Sequence, residues 1–256
     1  MPEFDSVAKV YDATRGMAPG VDEEICQWIM KRLPPDPAIA EIGVGTGRIA
    51  LPFILRDVRF TGIDVSAPMI DVLRDKLGGD LRRSQLLVGD VAEPWPVEPA
   101  SQDAVIAVGI FHHVDVVRTL EQVRRALKPG GVLISGSEGA VGESLRQQLR
   151  GRYFAAREEL VGPPAADVTG RLTQQTLEAW SIPVARHTVT TWKRSEAPRA
   201  TLNALWERQL AGTWGHDEAT HREIMRRVEA KALELYGDVD AVQVQTYAFS
   251  VDWYQF

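Results

Sequence analysis

The sequence predicts an α/β fold with a mostly parallel central sheet. Between residues 38 and 137, short apolar runs alternate with amphipathic segments of helical periodicity. The apolar runs are continuous rather than alternating, which is typical of strands that helices cover on both faces. A glycine-rich turn, GVGTG, also joins the first apolar run to the next helical segment, and sheets of this kind bind ligands at such turns.

Five strands and four helices follow in order through this first part of the chain. The strands are predicted at Ile39–Ile42, Val58–Ile63, Gln85–Val88, Ala104–Val108 and Val132–Ser135. The helices are predicted at Asp22–Leu33, at Gly47–Leu55, from the N-cap Ser66 to about Leu77, and at Val116–Leu127. Lys128-Pro129-Gly130-Gly131 predicts a turn before the fifth strand.

The pattern changes after Gly136, where longer amphipathic segments begin. Helices are predicted at Glu143–Leu160, Thr173–Trp180, Pro198–Leu210 and Asp217–Leu235, a sixth strand at Val184–Trp192, and one or two closing strands at Val242–Trp253. We therefore expect a single domain, 1–256, with a helical lead (1–35), a core (36–137), a region containing the sixth strand (138–236) and a closing strand (237–256).

Composition excludes several classes of protein. With 45% hydrophobic and 25% charged residues, the chain resembles an ordinary soluble globular protein. A net charge of −6 argues against a general nucleic-acid binder. The single cysteine, Cys26, excludes an intrachain disulfide and a cysteine-built metal site, and we expect it to be a buried structural thiol. No leader-like or membrane-spanning apolar stretch is present, so we expect a cytoplasmic location without membrane contact.

The glycine turn itself narrows the choice of ligand. Its glycines stand at alternate positions, Gly43, Gly45 and Gly47, whereas the dinucleotide-binding fingerprint is GxGxxG. A glycine turn between a strand and a helix lets a nucleotide-like ligand approach the backbone. The spacing therefore indicates a nucleotide-like ligand other than a nicotinamide dinucleotide.

Two aspartates at strand ends extend this interpretation. Asp64 ends the second strand, about 20 residues after the glycines, where an acid suits the two hydroxyls of a ribose. Asp90 follows the third strand and could accept from an exocyclic amine such as that of adenine, while Val91 offers a backbone N–H to a ring nitrogen. Each aspartate could instead cap a helix or order a loop.

The segments EIGVGTG, GIDVS, GDV, VGIFHHV and LKPGGVL stand in an order and spacing that resemble the class I S-adenosylmethionine-dependent methyltransferases. The resemblance covers roughly residues 5–137. The lead VAKVYDATR resembles the branch that acts on small molecules, a methyltransferase type 11/25-like group. The resemblance implies S-adenosylmethionine as cofactor and assigns to its site Tyr11, Arg15, Glu41, Gly43, Gly45, Gly47, Asp64, Val65, Met69, Asp90, Val91 and Gly109.

The same resemblance implies the complete fold and the place of the acceptor. The fold would be a Rossmann-like, seven-stranded, mostly parallel sheet with an antiparallel last strand and helices on both faces. A helical lid inserted after the fifth strand would select the substrate.

Candidate acceptor-site residues come from the fourth strand and from the lid. His112 and His113 directly follow the fourth strand, where either could act as a base or orient the acceptor, or be a loop histidine bonded to backbone. Further substrate-contact candidates are Tyr153, Trp192, Trp206, Trp214 and His216, each of which could equally pack within the lid.

Several reactions fit poorly. VGIFHHV lacks the Asn/Asp-Pro-Pro-aromatic motif of amino-methylating DNA enzymes. C5 methylation of pyrimidines needs a nucleophilic cysteine, and the single cysteine, Cys26, precedes the core of the fold. We therefore expect methyl transfer to O, N or C of a small molecule, without a metal. The sequence does not distinguish a monomer from a homodimer. A cofactor-binding protein without catalysis, either a sensor or a degenerate subunit, is the alternative. An NAD(P)-dependent reductase is less favoured because the glycine spacing differs and no Tyr-x-x-x-Lys pair is evident.

Overall fold

A computed structural model describes residues 17–162, 169–209, 213 and 216–256. Its α-helices are α1 (Val21–Met30), α2 (Ala50–Leu55), α3 (Ala67–Lys76), α4 (Val116–Ala126), α5 (Leu145–Val161), α6 (Thr169–Ala179), α7 (Pro198–Trp206) and α8 (Glu218–Tyr236). The strands are β1 (Ala38–Ile42), β2 (Arg59–Asp64), β3 (Ser84–Val88), β4 (Gln102–Val108), β5 (Leu127–Ala140), β6 (Val184–Glu196) and β7 (Gln243–Gln255). A 3₁₀ turn, Phe111–His113, follows β4.

The strands form one seven-stranded sheet in the order β3-β2-β1-β4-β5-β7-β6. Neighbours from β3 through β5 are parallel. Strand β7 runs antiparallel, because the N–H of Phe256 donates to the Gly131 carbonyl and that of Gly130 to the Phe256 carbonyl, both at 2.9 Å. At its other side the N–H of Gln255 reaches the Pro183 carbonyl, just before β6. The predicted mixed sheet with an antiparallel last strand is confirmed.

The chain divides into two compact units, and the first holds the described parts of Met1–Glu138, Asp167–Thr190 and Phe249–Phe256. One face of its sheet packs against α4 and α6 through a core that includes Ala40, Val105, Leu120, Leu133 and Leu177. On the other face, α2 meets β2 where the rings of Phe53 and Phe60 lie 5.8 Å apart. Helices therefore cover both faces, as the continuous apolar strands predicted.

The second unit comprises Gly139–Ala166 and Thr191–Ala248, again in its described parts. Helices α5, α7 and α8 share a core that includes Leu149, Leu202, Leu205, Ile224 and Val228. The helices that the sequence predicts after the fifth strand are thus present. Asp167–Thr190, predicted within the 138–236 region, clusters with the first unit.

Local sequence signals identified some element ends and misplaced others. Ser66 caps α3, its Oγ accepting the Met69 N–H at 3.4 Å, as predicted. The turn predicted at Lys128-Pro129-Gly130-Gly131 does not precede the strand but lies inside β5 as a bulge: these four residues stand opposite Asp103 alone of β4, Gly130 has φ +80°, and both glycines pair with Phe256. Thr173 does not begin a helix either, since α6 begins at Thr169.

The predicted buried thiol is confirmed. Cys26 is fully buried in α1, and burial, with a smaller effect of Asp22, raises the pKa of its thiol to about 12. Such a thiol stays protonated and unreactive at neutral pH. Among the described residues, no helix has both the length and the apolar character needed to span a membrane.

A half-buried carboxylate links three strands at the amino edge of the sheet. Asp103 of β4 accepts the Ala38 N–H of β1 at 2.8 Å and the ammonium of Lys128 of β5 at 2.8 Å. Burial raises the pKa of Asp103, but these two hydrogen bonds and the charges of Lys128 and Arg59 outweigh it. The net pKa therefore lies below the usual range.

We expect Asp103→Asn to lower the free energy of unfolding by about 1–3 kcal/mol at pH 7, because a charge-assisted hydrogen bond is lost. A carboxyl with a depressed pKa stabilises the fold above its unfolded pKa, and this stabilisation disappears as pH falls through the folded pKa. The difference between wild type and variant in urea unfolding should therefore shrink below about pH 4. Asp75→Asn, at an exposed position on α3, is the matched control; an equal loss there would contradict this role for Asp103.

Candidate functional site at the carboxyl edge of the sheet

Strand register aligns the predicted site residues along one edge of the sheet. Ile42 of β1 pairs with Ile63 of β2 and Ala107 of β4, and Ile63 pairs with Leu87 of β3. The segments that follow these residues therefore emerge side by side at the carboxyl edge. Strand order reverses between β1 and β4, and ligands bind at such a switch point in doubly wound sheets.

The three glycines of the turn have different roles. All have positive φ, +70° at Gly43, +54° at Gly45 and +82° at Gly47. A Cβ on Gly43 would lie 2.8 Å from Ile110 Cδ1, and one on Gly47 would lie 2.2 Å from Leu73 Cδ1. A Cβ on Gly45 would meet nothing nearer than 4.0 Å. Close internal packing thus explains Gly43 and Gly47, and only Gly45 leaves open space beside the backbone.

The Asp64 carboxylate joins this turn to the next helix. Its Oδ2 accepts the Gly45 N–H at 2.8 Å, and its Oδ1 accepts the Ser66 N–H at 2.9 Å. The Asp64 carbonyl also accepts the Gly89 N–H at 2.8 Å. The loop-ordering role that the sequence left open is therefore real.

The other predicted cofactor residues lie along the same edge. Asp90 is exposed, and its Oδ1 accepts the Ala92 N–H at 2.9 Å, so it too orders its own loop. Val91 and Met69 are buried, whereas Val65 is 44% exposed. Gly109 has φ +63°, and a Cβ there would find no atom within 4 Å. Tyr11 and Arg15 lie outside the described residues.

Glu41 is a buried acid at the end of β1, only 2% exposed. Burial raises the pKa of its carboxyl well above the usual range; Arg48 lowers this pKa, and Asp64 raises it further. Among the described residues, its Oε2 has no hydrogen-bond partner. Arg48 pairs at 3.1 Å with Glu138 of β5. The turn is therefore flanked by acids, an arrangement that favours a positively charged ligand group.

The first unit contains a cavity of about 780 Å³, and Gly109 at the end of β4 is one of the residues that line it. Apolar walls come from the 3₁₀ turn, α6 and β7, including Phe111, Leu177 and Tyr254. Its polar lining includes His112, Ser135, Thr173, Glu178 and Asp252. This volume lies within the range of small-molecule sites.

The two adjacent histidines are placed differently. His112 is exposed and lines the cavity, while His113 is half-buried and does not. Their ring centroids are 3.8 Å apart. Of the pair, His112 therefore has the position expected for contact with an acceptor. Within the described residues, no three His, Cys, Asp or Glu side chains form a cluster that would hold a metal ion.

Tyr153 and His216 belong to a polar cluster within the second unit. The Tyr153 hydroxyl lies 2.9 Å from His216 Nε2 and 3.0 Å from His221 Nδ1. His221 Nε2 lies 3.1 Å from the Trp206 carbonyl, which can only accept. A neutral His221 therefore carries its proton on Nε2 and accepts from Tyr153, which in turn accepts from His216. Burial raises the pKa of Tyr153 to about 12 despite Arg208 and Arg157, so its hydroxyl stays protonated.

The predicted tryptophans also have partners inside the second unit. Trp192 stacks on Tyr247 with ring centroids 6.2 Å apart, and Trp206 donates to Glu229 Oε1 at 2.6 Å. Trp214 lies outside the described residues. Among the predicted substrate residues that the structure describes, His112 alone lines the cavity of the first unit.

Most of the cavity wall consists of residues that the sequence does not mark as functional. Ser135, Leu177, Glu178 and Tyr254 were not selected, although all line the cavity. They come from β5, α6 and β7, and no local motif marks them. Only the antiparallel pairing of β7 with β5 brings the last residues of the chain to this place.

Comparison with known proteins gives a family and a fold. Residues 39–131 match the family described as "Methyltransferase domain". The uncharacterized methyltransferase Rv3342 of Mycobacterium tuberculosis is 28% identical over 214 residues, covering 82% of this chain and 78% of the relative. The ubiquinone/menaquinone biosynthesis C-methyltransferase UbiE of Geotalea daltonii is 31% identical over 140 residues, which are 51% of this chain and 59% of the relative.

Solved structures share the fold. The crystal structure of BH2331 from Bacillus halodurans superposes with a TM-score of 0.56 and 14% identity, covering 91% of this chain and 98% of that one. YcgJ of Bacillus subtilis gives a TM-score of 0.52 and 15% identity, covering 90% and 97%. At such low identity these likenesses establish the architecture alone.

The unequal roles of the glycines give a direct test. Gly47→Ala combines positive φ with a clash against Leu73, so we expect it to lower the free energy of unfolding by about 2–5 kcal/mol. Gly45→Ala has the same chemistry without the clash and should cost only about 1–2 kcal/mol. Urea unfolding measures both. If the two substitutions cost the same, the packing role of Gly47 is wrong.

Proposed function

Because this chain belongs to the class I S-adenosylmethionine-dependent methyltransferases, we propose that it transfers a methyl group from that cofactor to O, N or C of a small-molecule acceptor. The observation that carries the proposal is the hydrogen bond from the Gly45 N–H to the Asp64 carboxylate, 2.8 Å long, at the switch point of the sheet. It fixes an acid beside the one glycine of the turn that has open space in front of it.

The residues at this edge suit the cofactor. Asp64 ends the second strand beside the glycine turn, where a carboxylate suits the two hydroxyls of a ribose. Asp90 and the backbone of Val91 follow the next strand and would meet the adenine. Gly45 and Gly109 both leave room where a side chain would otherwise stand. Glu41 is buried, and one of its oxygens has no hydrogen-bond partner among the described residues. Its carboxylate would attract the positive charge at the methionine end of the cofactor. S-adenosylmethionine, when bound, would supply a methyl group on a sulfonium, with the neutral thioether S-adenosylhomocysteine as the leaving group.

Catalysis then depends mainly on positioning, because holding two reactants in line supplies much of the rate. The chain would hold the acceptor in the cavity that Gly109 helps to line. An acceptor that must lose a proton needs a base, and His112 on the cavity wall has an imidazole nitrogen that can take it. An acceptor without such a proton would need only the walls.

Replacing Asp64 tests the cofactor site. Asp64→Asn removes the charge and one acceptor while keeping the shape, so we expect S-adenosylhomocysteine to bind about 10–100-fold more weakly, as for lost charge-assisted hydrogen bonds. Isothermal titration calorimetry measures the affinity. Asp57→Asn is the control, since Asp57 has φ +59°, which asparagine tolerates. Unchanged affinity in a folded Asp64→Asn would remove Asp64 from the cofactor site. Heat with NAD but none with S-adenosylmethionine would favour a reductase.

Replacing the histidines tests the base. With labelled S-adenosylmethionine and a metabolite extract, we expect His112→Ala to form labelled product at least about 100-fold more slowly, with unchanged affinity for S-adenosylhomocysteine. His113→Ala, which alters the neighbouring ring outside the cavity, should retain turnover. Equal rates in the two variants would make His112 structural. Tight cofactor binding with no labelled product from the wild type would indicate the binding-only alternative.

A further inference from the structure

We propose that the cavity beside His112 is the acceptor pocket, and that it selects a neutral or cationic acceptor with a ring-sized apolar body and hydroxyl or amino groups. This inference rests on the proposed function and adds the chemical class of the acceptor. It depends on three features of the first unit: an apolar wall, two hydroxyls that make no hydrogen bond to a described residue, and an acidic mouth.

The apolar wall sets the body of the ligand. Leu177 of α6 is 1% exposed and belongs to the core of the unit, and Phe111, Ile110 and Ile182 pack against the same core. All four line the cavity. Because side chains of this kind desolvate an apolar ring without offering it polar contacts, the wall suits a cyclic or aromatic body.

The hydroxyl of Tyr254 supplies a specific polar contact. Tyr254 of β7 is 8% exposed, and its side chain lines the cavity. Its hydroxyl forms no hydrogen bond with any described residue. Burial raises the pKa of this phenol, as do Asp252 and Glu178, against a lowering effect of Arg186. The phenol therefore stays protonated and can both donate and accept.

Ser135 of β5 gives a second hydroxyl on the same wall. It is half-buried and lines the cavity, and within the described chain its Oγ also has no hydrogen-bond partner. Neither this oxygen nor that of Tyr254 is among the fully buried unpaired polar atoms, so both hydroxyls are accessible to a ligand from the cavity. Ser135 and Tyr254 together therefore favour a ligand that carries hydroxyl or amino groups.

The charges at the mouth argue against an anionic acceptor. Arg186 is the cation of the described cavity lining, and it donates to both carboxylate oxygens of Asp252, at 2.6 and 2.8 Å. The charge of Arg186 is therefore already balanced by that of Asp252. Glu178 accepts the Gln174 amide at 2.7 Å through one oxygen. Its other oxygen makes no hydrogen bond to a described residue, and no cation of the described cavity lining balances its charge. A carboxylate or phosphate would meet this acid, whereas an ammonium or hydroxyl would be attracted to it.

Three matched probes separate these classes: phenol, tyramine and 4-hydroxyphenylacetate. They share the hydroxylated ring and differ in having no charge, a positive charge or a negative charge. Ligand-observed saturation-transfer NMR on the full chain, with and without S-adenosylhomocysteine, measures their binding. We expect tyramine to bind at least as well as phenol, and 4-hydroxyphenylacetate to bind more weakly than tyramine. Glu178→Gln should reduce the preference for tyramine by about two- to five-fold.

Two further variants localise the binding. Leu177→Trp fills the cavity and should abolish binding of phenol and tyramine. Leu172→Trp places the same ring on the same helix at a position that is 37% exposed and should leave binding intact. Tyr254→Phe removes only the hydroxyl and should weaken phenol and tyramine; it decides the question if Leu177→Trp does not fold. Equal binding in the two tryptophan variants, or tighter binding of 4-hydroxyphenylacetate than of tyramine by the wild type, would overturn the inference.

Failure of this inference and failure of the proposed function give different results. If S-adenosylhomocysteine binds but the probes ignore Leu177→Trp and Tyr254→Phe, the cavity is wrong and the methyltransferase assignment is unaffected. If the probes bind and Leu177→Trp abolishes their signal while S-adenosylhomocysteine does not bind, the cavity is a binding site and the proposed function fails.

Discussion

The Asp64 carboxylate is the contact on which the carboxyl edge of this sheet depends. It accepts the backbone N–H of Gly45 in the glycine turn and that of Ser66, the N-cap of α3, so one side chain links both segments. The backbone of the turn is held to β2 as well, because the N–H groups of Gly43 and Val44 donate to the Ile63 carbonyl at 2.8 and 3.1 Å. An acid that orders its loop is already in place before any ligand arrives, which lowers the entropic cost of binding.

Glu41 shows the opposite situation, an acid that the protein alone leaves unsatisfied. It is buried, lies near the Asp64 charge, and has one oxygen without a hydrogen bond to any described residue. Such a group costs stability in the free protein. A positively charged ligand group would relieve that cost, so stability and binding are linked at this position. The acid therefore fits a site built for a cationic ligand better than one built for packing.

The predicted cofactor residues lie along one edge of the sheet because their positions are set locally. Except for Met69 in α3, those from Glu41 to Gly109 end one of the first four strands or lie in the loop that follows it, and parallel register brings these ends together. The roles of Gly43 and Gly47 could not be predicted, since their reasons are the side chains of Ile110 and Leu73, which lie 67 and 26 residues away in the chain. A sequence pattern shows that a glycine is present, but not which atoms a side chain at that position would contact.

The wall of the cavity was less predictable because one long-range strand pairing assembles it. The sequence suggested a turn at residues 128–131 before the fifth strand, yet Gly130 and Gly131 lie within β5 and pair with Phe256 at the end of the chain. That antiparallel pairing carries Asp252 and Tyr254 to the wall of a cavity whose other side is the turn after β4. A methyl donor common to many enzymes can be held by local motifs near the start of such a fold. The acceptor differs from enzyme to enzyme, so the residues that meet it come from later strands and helices, where tertiary pairing and not a short motif brings them together.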